Sequence, residues 1–121
     1  MARPYEVSVP FRAGAGGYAS HRIPAVVVTR AGTLLAFAEG RVGSSADHGD
    51  IDLVLKRSAD GGRTWGEPQV VARNGNGTAG NPAPVVLEDG PHAGRVVLVH
   101  VRSAANRQEQ SLPPIASAAA M

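Results

Sequence analysis

SADGGRTW, running from Ser58 to Trp65, decides how this chain folds. Asp60, Gly61 and Gly62 are turn residues. Glycine takes positive φ without a Cβ clash, and Asp or Ser side chains bond backbone N–H groups a few residues on. Trp65, the only tryptophan, follows at once. Its ring is expected to lie over a turn otherwise short of apolar cover. The stretch therefore reads as a self-contained hairpin turn. IDLVLKRS (51–58) enters it, and there Ile51, Leu53 and Leu55 alternate with Asp52, Val54 and Lys56, the period of a strand with one face more buried. PQVVAR (68–73) leaves it as a second strand.

The same grammar extends in both directions. RIPAVVVT (22–29) is a buried strand candidate, RAGT (30–33) a turn, and TLLAFAEGR (33–41) the returning strand. VGSSADHGD (42–50) and NGNGTAGN (74–81) read as loops. PAPVVLED (82–89) and RVVLVHVRS (95–103) make a further hairpin through Gly90 to Gly94. Four strands followed by the start of another set is the rhythm of a β-propeller, whose blades are four-stranded antiparallel sheets. The expected fold is all-β, with material for about two blades where a ring needs about four to eight. Residues 1–17 read as a lead-in, 18–103 as a partial propeller domain, and 104–121 as an irregular tail, disordered or truncated. The chain is then either a piece of a longer protein or a smaller β fold.

Composition removes several functions. No apolar run approaches the ~20 residues of a membrane-spanning helix. Residues 1–20 lack an apolar core followed by a small-residue cleavage site, so no signal peptide is expected and the default compartment is cytoplasmic. The chain has no cysteine, which excludes disulfides and thiolate metal sites. Its net charge is +2, carried mostly by arginines scattered from Arg3 to Arg107 rather than gathered in a patch. That argues against nucleic acid. Arginine suits bidentate recognition of a carboxylate or phosphate, so an anionic small ligand stays open.

Taken alone, Arg22 could be a solvated edge-strand residue, Glu39 and Arg41 a charged strand end, and Asn81 part of a proline-marked strand entry. Asp47, His48 and Asp50 share a loop but lack the spacing of a calcium or zinc site. As an ordered set, however, these pieces resemble the sialidases. Ser58, Asp60, Gly62, Thr64 and Trp65 resemble their Asp-box, a structural turn between the third and fourth strands of a blade. Arg22-Ile23-Pro24 resembles their Arg-Ile-Pro motif, whose arginine is one of three that clamp the sialic-acid carboxylate. Arg41, after Ala38-Glu39-Gly40, resembles a second pocket arginine, with Glu39 orienting one of the arginines. Asp47 resembles the general acid/base, with Asp50 the competitor. His48 has no family role and reads as a solvated loop residue. Asn81, in Asn81-Pro82-Ala83-Pro84, resembles a residue on the N-acyl side of the sugar.

The resemblance covers roughly Tyr18 to Arg102. It implies an exo-α-sialidase with a six-bladed propeller, acting on sialylated glycans without metal or other cofactor. It also implies a retaining glycosidase with a tyrosine nucleophile, an exception to the usual carboxylate pair. Tyr5 and Tyr18 both precede the first strand and do not fit that role, so this chain is expected to be an N-terminal part that is inactive alone. Two alternatives stand beside it. One is a non-catalytic Asp-box propeller fragment binding glycans or proteins. The other is a small β-sandwich module complete at this length, which would need an ordered C-terminal strand.

Overall fold

A computed structural model describes residues 5–43 and 49–104, and the backbone of 115–120. The described chain is all-β. Its strands are β1 (Ser20–Val28), β2 (Leu34–Arg41), β3 (Ile51–Ser58), β4 (Gln69–Ala72), β5 (Thr78–Val86), β6 (Val96–Ser103) and β7 (Ile115–Ala120). β1 through β4 form an antiparallel meander, and β5, β6 and β7 form a second. A single parallel bridge, Ile51 to Thr78, joins the two at one end. The sheet is open, with β1 and β7 at its ends.

The hairpins form where the turn residues stand. Between β1 and β2, the Thr29 N–H donates to Thr33 O at 2.9 Å, and Gly32 takes φ 88°. The register then puts Phe37 opposite Leu55, and Glu39 opposite Leu53. Leu35, Phe37, Leu53 and Leu55 thus share a face and pack against Ala79, Val96 and Leu98 of the second meander. Fully burying each large apolar side chain contributes roughly 1.5–3 kcal/mol, so this seam between the two units is the principal source of stability.

Four sequence expectations change. β1 is not buried: Val26 and Val28 are 54% and 56% exposed. It is an edge strand, and only one face meets the second unit. β3 is buried on both faces, because residues ahead of β1 cover its second face and leave Val54 at 1% exposure. β5 begins at Thr78, inside the stretch read as a loop, since its early backbone pairs with the end of β6 from Thr78↔Ser103 onward. Within the stretch expected to be irregular, Ile115–Ala120 runs antiparallel to β6. Main-chain pairing needs no apolar periodicity, which is why an Ala-rich segment carries no strand signal.

The Asp-box lies between β3 and β4. Ser58 Oγ donates to Asp60 Oδ1 at 2.8 Å and accepts the Gly62 N–H at 2.9 Å. Asp60 Oδ1 accepts the N–H groups of Arg63 and Thr64 at 3.1 and 2.9 Å. The turn is not self-contained, however. The Trp65 indole N–H donates to Ser8 Oγ at 3.0 Å, and Arg63 pairs with Glu6. The box therefore also holds the lead-in segment against the blade.

Asp60 carries a readable pH signature. Hydrogen bonds from the Thr64 hydroxyl and N–H, then from Ser58, hold its carboxyl down to about 2. A depressed folded-state pKa stabilises the fold above the ordinary carboxylate value and loses that contribution as pH falls through about 2. Comparing the melting temperatures of the chain and Asp60→Asn from pH 6 to pH 2 should show a gap that closes between about pH 4 and pH 2. A gap that stays constant across that range would contradict these bonds.

Candidate functional site

The site residues gather at the blade end opposite the Asp-box. Arg41 pairs with Ile51 and Leu34 with Ser58, so the two ends lie about 23 Å apart along β3 at ~3.3 Å per residue. At the site end stand the start of β1, the end of β2, and the starts of β3 and β5.

Arg41 is 2% exposed and Glu39 4% exposed. Two residues apart on β2, they share a face, and Glu39 Oε1 accepts both Arg41 Nε at 3.1 Å and Nη2 at 2.6 Å. The other carboxylate oxygen, Oε2, accepts the backbone N–H of Asn81 at 2.8 Å. Arg22 lies on β1 directly opposite Glu39 and is exposed. The fold thus assembles Arg22, Glu39, Arg41 and Asn81 from three strands of two units. Asp47, the expected acid/base, and His48 lie outside the described residues. The loop that carries them is closed at its base, where the Val42 N–H donates to Asp50 O at 3.0 Å and Thr78 Oγ1 donates to Gly49 O at 2.9 Å.

The strand ends are shaped by unusual backbone. Ile23 has φ 57° and Asn81 φ 54°, and each precedes a proline. Positive φ is rare for a β-branched residue, and the position before proline favours extended backbone. Both residues sit at irregularities in strand pairing, between Arg22 and Ala25 in β1 and between Gly80 and Ala83 in β5. Held strain of this kind concentrates at functional sites.

Sequence reading missed a second cluster behind the site. Tyr18 donates its hydroxyl to Asp52 Oδ2 at 2.8 Å, and Arg73 Nη2 reaches the same oxygen at 3.4 Å. The Tyr18 ring lies against Gly40, where an added Cβ would meet it at 2.7 Å. Burial, then the bond to Asp52, pushes the Tyr18 hydroxyl up to about 12. It keeps its proton, the reverse of what a nucleophile needs. Glycine between Glu39 and Arg41 was the available signal, since a strand interior has no need of it unless another group approaches closely. Among the described residues, no three His, Asp or Glu side chains form a metal-binding group, and no helix is long and apolar enough to cross a membrane.

Fold and site together define a segment of an Asp-box β-propeller, two blade units with an arginine–carboxylate pair buried at one end. No family model matches the chain. Over 95 residues it is 45% identical to an exo-alpha-sialidase of Aspergillus fumigatus, matching 74% of this chain and 22% of that protein. It superposes on a solved sialidase, Hadza microbial sialidase Hz136, with TM-score 0.68 and 27% identity, covering 78% of this chain and 20% of that one. The NanB sialidase of Streptococcus pneumoniae gives TM-score 0.77 at 17% identity, covering 91% and 20%. The chain belongs to the sialidase family, and it spans about a fifth of the length of these relatives.

Proposed function

We propose that this chain is the part of an exo-α-sialidase that supplies one arginine of the carboxylate clamp, Arg22, a second pocket arginine, Arg41, and the general acid, Asp47. The observation that carries the reading is the Arg22–Glu39–Arg41–Asn81 assembly. Arg22, exposed, lies across from Glu39 in the strand register, and Glu39 takes Nε and Nη2 of the buried Arg41. Guanidinium forks make strong paired hydrogen bonds to carboxylates, and sialic acid carries one at its anomeric carbon. A tyrosine nucleophile attacks that carbon, while Asp47 gives a proton to the departing glycosidic oxygen. Asp47 then takes a proton from water as water displaces the tyrosine. Neither Tyr5 nor Tyr18 fits the nucleophile, so the 121-residue chain alone is inactive on this reading. Residues 18–103 are its propeller portion.

The burial of Arg41 favours one other reading. An arginine already satisfied by Glu39 is also what a non-catalytic, glycan- or protein-binding propeller would use as a brace. Activity separates the two. The longest polypeptide that the gene encodes should release sialic acid from a sialoside, and Arg22→Ala should lower kcat/KM by about 10- to 150-fold, the worth of one charge-assisted hydrogen bond. A folded, inactive polypeptide would favour the brace. Robust release by the 121-residue chain alone would overturn its proposed incompleteness.

A further inference from the structure

We infer that the second blade unit positions the arginine of the first through backbone alone, with Gly80 and the Asn81 N–H as the positioning elements. This rests on the proposed function for its purpose but not for its geometry. β1 and β5 carry the same device at the same place. Arg22-Ile23-Pro24 and Gly80-Asn81-Pro82 each put a positive-φ residue before a proline at a break in strand pairing. In β1 the residue ahead of the break carries a guanidinium. In β5 the matching residue is Gly80, and an added Cβ there would meet Glu39 Oε2 at 2.7 Å and its carboxyl carbon at 3.3 Å.

The missing side chain is what admits Glu39 across the seam. The positive φ of Asn81 then turns its N–H onto Oε2 at 2.8 Å. With Oε2 occupied, Oε1 is left to take both Nε and Nη2 of Arg41. A free carboxylate could rotate about its last bond. One pinned from the opposite unit cannot, so the guanidinium keeps one orientation. Asn81 thus acts here through its main chain, whatever its side chain contacts in a bound sugar.

Nuclear magnetic resonance of the 121-residue chain tests this without any catalytic assay. The reporters are the Asn81 amide, the Arg41 Nε–H and, as a folding control, the Trp65 indole N–H. In the unmodified chain the first two should be protected from solvent exchange. Gly80→Ala should speed exchange of Arg41 Nε–H by about tenfold or more, the worth of a hydrogen bond to a charged group, while the Trp65 signal stays in place. Asn81→Gly, which keeps both the N–H and the positive φ, should leave Arg41 protected. Three results would each overturn the inference: free exchange of the Asn81 amide in the unmodified chain, unchanged Arg41 protection in folded Gly80→Ala, or lost protection in Asn81→Gly. If Gly80→Ala fails to fold, the unmodified chain and Asn81→Gly still decide. An inactive parent with these signals intact would refute the enzyme reading alone.

Discussion

Glu39→Ala is expected to destabilise the fold by about 3–5 kcal/mol, the usual cost of removing one partner from a buried ion pair. Most of that cost comes from the guanidinium, which stays buried while its Nε and Nη2 lose the carboxylate oxygen they share. Arg41 is 2% exposed, and Glu39 Oε1 takes its Nε and Nη2. The Asn81 N–H would lose its acceptor as well. Urea unfolding of the two chains measures the difference, provided the slope is unchanged. The double replacement Glu39→Leu with Arg41→Met should recover part of the stability, because the seam then buries neither of the two charges. A cost below about 1 kcal/mol for Glu39→Ala, the range of exposed pairs, would mean that water reaches Arg41 in solution.

Asp47→Ala should lower kcat of the longest encoded polypeptide by about 10²- to 10⁴-fold on a sialoside with an alkyl leaving group, the span of general acid catalysis. The leaving group supplies the discriminating control. A phenol of low pKa departs without help from an acid, so the same replacement should cost much less on an aryl sialoside. Equal losses on both substrates would assign Asp47 some task other than proton donation. Asp50→Ala is the comparison arm. Asp50 closes the loop base through its backbone carbonyl, which alanine retains, so this variant should show no dependence on leaving group. If that dependence followed Asp50 instead, the acid would be Asp50.

Much of the fold was legible because it is written in local chemistry. Turns at Gly32, Gly61-Gly62 and Gly90 to Gly94 follow from residues that tolerate positive φ. The Asp-box could be read from Ser58, Asp60, Gly62, Thr64 and Trp65, whose bonds mostly span four residues or fewer. Its tie to Ser8 was not legible, since it links positions 57 residues apart. The strand in the Ala-rich tail was also invisible, because its pairing is main chain to main chain.

The amino-acid sequence by itself determined the all-β class, the strand rhythm, the position of the Asp-box and the residue types of the proposed arginine site. Each is a property of near neighbours: alternation along a strand, turn residues between strands, a motif of fixed spacing. Only the tertiary structure decided that Glu39 bridges two units, that Arg41 is buried while Arg22 stays exposed, and that Gly80 lies where an added Cβ would meet Glu39. Those facts depend on which strands meet across the seam and how closely. The N–H that pins Glu39 lies 42 residues downstream. Packing brings it there, and no local pattern encodes it.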